Sequence, residues 1–155
     1  MNGLIRKAEI ADIEDLLQLY NEATLKLINQ GINQWSYPWD EETMADLLPQ
    51  LVVLENNRQL IGAMVISEKA HFNTYSFGKP ALFLEKIVIH PRMQGKKISG
   101  QLFDFARVQG ELVKKAVYFD CWAGNEKLIT YYLNYAKQIA VIDEEDYEVA
   151  LFQLY

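Results

Sequence analysis

The chain has 155 residues, half of them hydrophobic and 23% charged, with a formal net charge of −6. That length is enough for one domain with a real core, and the composition is ordinary soluble globular usage. The negative balance argues against general nucleic-acid binding, which needs clustered Lys and Arg, and is mildly compatible with a cationic substrate such as an amine. The single Cys121 leaves no internal disulfide, the expectation for a cytoplasmic protein. In "MNGLIRKAEIADIEDLL" charges recur every few residues, so neither a signal peptide nor a membrane span is expected.

Residues 4–10, "LIRKAEI", alternate as a first strand. Ile13, Leu16, Leu17, Tyr20, Thr24, Leu27 and Ile28 then recur at three- and four-residue spacing, the apolar stripe of a long helix. Asp12 before the stripe and Gly31 after it are its start and stop signals. The loop "GINQWSYPWDEE" leads to a short second helix near residues 41–48. "LVVLENNRQLIGAMVIS" reads as a hairpin turning at Asn56 and Asn57. Residues 69–80 are expected to form a longer loop ending in Gly78 and Pro80. "ALFLEKIVIH" is the next strand, stopped by Pro91, which lacks a backbone donor. A helix over about 96–113, the strand "AVYFDCW", a helix over about 125–136 and the strands "IAVID" and "YEVALFQLY" complete the chain. The order β-α-α-β-β-β-α-β-α-β-β predicts a single mixed α/β domain over 1–155, without repeats or an interdomain linker.

Two stretches carry chemistry. In "EKIVIHPRMQGKKISGQLF", residues 85–103, a strand turns into an amphipathic helix at Gly95. A helix N-terminus offers unpaired N–H groups and a partial positive charge, and glycine lets a ligand approach the backbone closely. Lys96 and Lys97 in the first helical turn oppose the helix dipole by ~0.3–1 kcal/mol each, a sign that a bound pyrophosphate would reverse. One glycine before a helix suits a phosphate cradle and a solvated corner alike. In "YFDCWAGNEKLITYYLNYA", residues 118–136, Asn125 follows a strand at a helix start, where Asn is a good cap. Asn125, Ile129 and Tyr132 share one helical face, while Tyr131 is turned about 100° away.

Together these stretches resemble the GNAT superfamily of acetyl-CoA-dependent N-acetyltransferases, and the element order agrees along nearly the whole chain. The family motif Gln/Arg-x-x-Gly-x-Gly/Ala falls on Gln94, Gly95, Lys96, Lys97, Ile98 and Ser99, after a well-matched "VIHP". Gln94 and Ile98 match, whereas Lys97 and Ser99 replace the two glycines. "CWAGNEKLITYY" resembles the second signature, an Asn seven residues before a Tyr. The resemblance implies a central mixed, mostly antiparallel sheet flanked by helices, with acetyl-CoA as cosubstrate. Ile87, Val88, Ile89, Gln94, Gly95, Lys96, Lys97, Ile98, Ser99, Gly100, Asn125 and Tyr132 are the implied CoA-binding residues. It also implies direct attack by a primary amine in a ternary complex, in a monomer or homodimer.

In that scheme Tyr132 protonates the leaving thiolate and Glu85 takes the amine proton, often through water. Backbone N–H groups near Val88 to His90 stabilise the developing oxyanion. Trp35, Tyr37 and Trp39 wall the acceptor pocket. Each role has a plainer counterpart: Glu85 as a solvated strand-end charge, Tyr132 as a core tyrosine, the aromatic loop as a cover for the sheet. Lysine at 97 is tolerable where the backbone is ordinary right-handed helix. A non-catalytic CoA-binding or protein-interaction domain of the same fold is the alternative, favoured by Lys97 and disfavoured by the Asn125/Tyr132 pair. Cys121 alternates with Val117 and Phe119 and reads as core. His71 and His90 have no partner at metal-ligand spacing, so no metal is expected.

Overall fold

The computed structural model describes residues 3–95 and 97–155. Eleven helices and strands of the described residues follow the predicted order: β1 (Leu4–Lys7), α1 (Ile13–Asn29), α2 (Glu41–Leu47), β2 (Leu51–Asn56), β3 (Gln59–Phe72), β4 (Tyr75–Ile89), α3 (Ser99–Val113), β5 (Val117–Trp122), α4 (Glu126–Tyr132), β6 (Ala136–Asp143) and β7 (Glu148–Leu154). The strands form one seven-stranded sheet in the order β1-β2-β3-β4-β5-β7-β6. β1/β2, β2/β3, β5/β7 and β6/β7 pair antiparallel, and β4/β5 pair parallel. This is the mixed α/β, mostly antiparallel sheet that the sequence predicts.

The boundaries of α1 sit where the sequence puts them, for identifiable reasons. Asp12 accepts two bonds from the Arg6 guanidinium, at 2.8 and 2.9 Å, and one from the Glu9 amide at 2.7 Å. That pairing ties β1 to the helix start and holds the Asp12 carboxyl below the usual carboxylate range. At the other end Gly31 is left-handed, with φ of 79°, and its amide bonds back to the Ile28 carbonyl. A glycine in that conformation is the common way to satisfy the last carbonyls of a helix. The buried face is rotated from the predicted stripe: Leu19 and Ala23 are inside with Leu16, Tyr20 and Thr24, while Ile28 is exposed.

Two turns differ from expectation. The β2–β3 hairpin turns at Asn57 and Arg58, both left-handed, one residue later than predicted. Successive left-handed residues match the twist of the flanking strands. The long loop expected over 69–80 is instead the end of β3 and the start of β4, joined by Asn73 and Thr74. Gly78 and Pro80 do not break the strand because its aromatic side chains hold it. Phe72 stacks on Phe83 at 5.1 Å and Phe77 on Tyr118 at 4.1 Å. α3 starts at Ser99 rather than near 96, and α4 stops at Tyr132, so that Ala136 already belongs to β6.

The chain forms two compact units: Met1–Val65 with Lys86–Leu102, and Ile66–Glu85 with Phe103–Tyr155. The core of the first joins Leu16, Leu19 and Tyr20 of α1 to Met44, Leu51, Val53, Ala63, Val65 and Val88. In the second, alternation along β5 separates two clusters. Tyr118 packs with Ala81, Phe83, Ile142 and Leu151, and Phe119 packs with Phe103, Tyr132 and Phe152.

Within the first unit, one polar contact fixes the shape of β4. Lys86 is left-handed, with φ of 52°, in the middle of the strand. The hydroxyl of the fully buried Tyr20 donates to its carbonyl at 2.7 Å. Removing this donor leaves a carbonyl short of one bond in apolar surroundings, which costs about 1–3 kcal/mol. Tyr20→Phe is therefore expected to lower the urea unfolding free energy by about 1–2 kcal/mol, and an unchanged value would show that the strand holds its left-handed residue unaided.

Candidate functional site

The strand-to-helix turn of the first unit is built from β4 outward. Ile87 and Ile89 are half-buried and Val88 is buried. A Cβ at Gly62 would lie 3.2 Å from the Val88 carbonyl and 3.1 Å from Ile89, so any larger residue would push a neighbour aside by a few tenths of an ångström. The His90 amide donates to the Ile61 carbonyl at 2.8 Å. Of the amides expected to serve an oxyanion, His90's is thus already committed to the neighbouring strand. Pro91–Met93 form a tight turn in which the Arg92 amide donates to His90 Nδ1 at 3.1 Å, while His90 Nε2 lies 3.1 Å from Glu22.

Gln94 opens the motif and is held from both sides. Its Nε2 donates to the Ile89 carbonyl at 3.3 Å, and its Oε1 accepts from Lys26 at 2.5 Å. Gly95 is left-handed, with φ of 82°, and a Cβ there would meet nothing within 4 Å. Its glycine is required by backbone handedness alone. Lys96 lies outside the described residues. Lys97 is left-handed too, with φ of 59°, which overturns the expectation of an ordinary helical backbone at this position. The lysine occupies a conformation that suits the glycine it replaces, at a cost of roughly 1–2 kcal/mol. Ile98 is buried and anchors the turn, Ser99 starts α3 and Gly100 is buried behind it. The left-handed residues 95 and 97 lie just ahead of the α3 N-terminus, and a helix N-terminus offers N–H groups that attract anions.

The aromatic loop splits into two roles. Trp35, Trp39 and Tyr20 pack against one another at 4.8–5.8 Å between centroids. The Trp39 indole donates to Thr24 at 2.9 Å, and its amide donates to Asn21 at 2.8 Å. Both tryptophans thus cover α1, whereas Tyr37 is 46% exposed.

In the second unit, Asn125 caps α4 as expected, its Oδ1 accepting from the Leu128 amide at 3.1 Å. Tyr132 is 8% exposed and is ringed edge-on by Phe119, Phe103 and Phe152 at 4.9–5.6 Å. Burial, then the nearby Cys121 and Asp120, push its hydroxyl well above an ordinary phenol. A phenol in that state keeps its proton until a stronger base forms beside it. Tyr131 points elsewhere, against Tyr135 at 5.5 Å, and their hydrogen bond is the main cause that pushes the Tyr135 hydroxyl up to about 12. Cys121 is buried, and burial pushes its thiol up to about 12, so it rests as a protonated core residue.

Glu85 is 2.8 Å from the Lys69 ammonium. Beside it stands a residue the sequence reading passed over. Asp120 is the one acid in the strand "VYFDCW", and burial pushes its carboxyl up to about 6, with the Glu85 charge adding and Lys69 opposing. A lone carboxylate among alternating apolar residues was the available signal. Among the described residues, no group of three or more His, Cys, Asp or Glu is gathered to hold a metal. No helix of the described residues is long and apolar enough to cross a membrane.

The sequence profile of the Acetyltransferase (GNAT) family matches residues 13–135. No curated protein sequence matches the chain. Among solved structures, a GNAT-family acetyltransferase from Listeria monocytogenes is 20% identical, with a TM-score of 0.76 over 97% of this chain and 93% of that one. Ribosomal-protein-alanine N-acetyltransferase from Brucella melitensis is 17% identical, with a TM-score of 0.74 over 97% and 98%. PaiA N-acetyltransferase from Thermoplasma acidophilum, in complex with coenzyme A, is 19% identical, with a TM-score of 0.72 over the full length of both chains. The chain belongs to the GNAT acetyltransferase family.

Two stability measurements test this geometry. Lys97→Gly relieves left-handed strain of roughly 1–2 kcal/mol but adds unfolded-state freedom of about 0.5–1 kcal/mol, so a net gain near 0.5–1 kcal/mol is expected in chemical denaturation. A loss would mean that the lysine side chain holds the turn. For Asp120, the folded chain binds the proton more tightly than the unfolded chain, whose ordinary value is 3.8. Its contribution to stability is therefore present below pH 3.8 and is lost as pH rises to about 6. Asp120→Asn should match wild type in thermal melts near pH 3.5 and exceed it above pH 6, by up to roughly 3 kcal/mol. An advantage independent of pH would rule out a desolvated carboxylate.

Proposed function

We propose that the chain is an N-acetyltransferase that moves the acetyl group of acetyl-CoA to a primary amine by direct attack in a ternary complex. The observation that carries this reading is the left-handed pair Gly95 and Lys97 ahead of α3, a concavity suited to pyrophosphate in a chain of the GNAT family. Gln94 to Gly100 hold the pyrophosphate, with Ile87, Val88 and Ile89 along the pantetheine arm. Asn125 and Tyr132 meet its thiol end. Acetyl-CoA supplies an activated thioester, and its counterpart complexes with CoA or acetyl-CoA among structural neighbours support that cosubstrate.

The chain's own residues manage two protons. A primary amine with an ordinary value near ~10.4 arrives protonated and has to lose a proton before it attacks. Glu85, fixed by Lys69, is the carboxylate that receives it, directly or through water. Tyr132 is the hydroxyl that gives its proton to the departing thiolate. Tyr37, exposed beside the two packed tryptophans, and Trp35 and Trp39 behind it border the acceptor. The protein acts in the cytoplasm as a single catalytic domain.

The test is thiol release from acetyl-CoA across a panel of small amines and N-terminal peptides, with Tyr132→Phe beside wild type. The variant should keep its affinity for acetyl-CoA and lose about 10²–10⁴ in kcat. That defect should shrink as pH rises toward 8 and above, where a thiolate leaves more readily unaided. Tyr131→Phe should retain nearly full turnover, since its ring lies against Tyr135. Equal turnover for Tyr132→Phe and wild type would remove Tyr132 from the reaction. Binding of acetyl-CoA without transfer to any amine would favour a non-catalytic CoA-binding domain.

A further inference from the structure

β4 and β5 pair in parallel through Leu82–Val117, Phe83–Tyr118 and Leu84–Phe119. Glu85 and Asp120 are the next residues on each strand. Alternation places them on the side of Phe83 and Tyr118, away from Leu84 and Phe119. Phe77 stacks on both Phe83 and Tyr118, at 6.3 and 4.1 Å, which fixes that side. Lys69 of β3 reaches the same side, its ammonium 4.8 Å from the Phe83 ring centroid and 2.8 Å from Glu85. One cation thus stands among two carboxylates on adjacent strands.

We propose that Lys69 is a positioning residue for a proton site formed by Glu85 and Asp120, in which Lys69 binds Glu85 and Asp120 holds the proton given up by the acceptor amine. This rests on the acetyltransferase reading above and changes one role in it, moving the resting place of the amine proton from Glu85 to the neighbouring Asp120. In the step, an N–H bond of the ammonium breaks and an O–H bond forms on the carboxylate. The nitrogen keeps the electron pair with which it attacks the acetyl carbon, and the thiolate is protonated by Tyr132. The carboxyl then returns its proton to water.

The charges around Asp120 support this division of labour. Facing it are Lys69 from β3, Glu85 from β4 and Glu144 after β6, while its own charge is felt by Cys121 and by Tyr132 of α4. Lys69 is the sole cation of that set. Two adjacent carboxylates resist double ionisation and titrate as a pair, and a shared cation decides which of them stays charged. Lys69 contacts Glu85 directly, and Asp120, whose proton affinity burial raises, is the one that takes the proton. A proton acceptor works best when its own affinity lies near the working pH, which is where burial has moved Asp120. A purely structural ion pair would serve packing and leave proton transfer untouched.

The experiment follows the Asp120 carboxyl by carbon-13 NMR against pH in wild type, Lys69→Met, Lys69→Arg and Glu85→Gln, alongside kcat/KM profiles for the best amine of the panel. Removing the cation should raise the Asp120 midpoint by about one pH unit, arginine should restore it, and Glu85→Gln should lower it. The acid limb of kcat/KM should move with the midpoint in each variant, while the affinity for acetyl-CoA stays constant. Midpoints that ignore both Lys69→Met and Glu85→Gln would overturn the shared site. Midpoints that move while the acid limb stays fixed would overturn its part in the reaction. Absence of acetyl transfer in wild type would overturn the acetyltransferase reading and the catalytic half of this proposal, with the NMR midpoints still deciding the coupling.

Discussion

Backbone handedness between Lys86 and Ser99 is the constraint on which this molecule depends. Three described residues in that segment, Lys86, Gly95 and Lys97, have positive φ, and two of them are lysines. An L-residue is pushed out of that region by its own Cβ, so each non-glycine must be held there from outside. At Lys86 the holding group is visible in the Tyr20 hydroxyl, itself buried under Trp35 and Trp39. At the Gln94 end the turn is gripped by Lys26 and the Ile89 carbonyl, and Ile98 plugs it from below. The aromatic cluster over α1 therefore does more than fill space. It fixes the path of the strand that leads into the turn at Gly95.

The second unit solves a different problem, keeping polar groups usable inside an aromatic core. β5 alternates between two environments, and each side of it uses burial for a separate purpose. On the Phe119 side, Phe103 and Phe152 surround the Tyr132 phenol and stabilise its neutral form. On the Tyr118 side, Asp120 is desolvated enough to gain proton affinity, yet the Lys69 ammonium limits the rise. One strand thus carries the packing of a neutral phenol on one face and a desolvated carboxyl on the other. The cost of the arrangement falls on stability, because a desolvated carboxylate opposes folding at neutral pH.

Much of this was legible in the sequence because short-range rules govern it. The order of elements follows from periodicity, Asn125 caps as its residue type demands, and the seven-residue spacing to Tyr132 puts the right tyrosine inward. The failures share one cause, tertiary packing that outweighs a local signal. Gly78 and Pro80 read as a loop, but stacked aromatics on three strands carry β4 through them. Lys97 reads as helical, but the turn requires the opposite handedness. Asp120 was overlooked because a lone acid acquires meaning only beside Glu85 and Lys69, which come from other strands. Trp35 and Trp39 read as aromatics of a loop, and only the fold shows that they pack against Tyr20 and Thr24 of α1.

The cap of α4 has a chemical consequence of its own. The helix alone would be served by Asp, Ser or Thr at position 125, each of which offers an oxygen to the N-terminal amides. Asn125 spends its oxygen on the Leu128 amide. What remains on the side chain is an NH2 group, two donors with no lone pair and no charge. The cap therefore adds no charge of its own to a helix start that already carries the exposed Glu126. An aspartate would cap as well and add a charge. The choice of amide over acid at one helix start thus leaves the acidic charge of the first turn to Glu126 alone, so the cap holds the helix equally well at any pH that ionises or protonates a carboxylate.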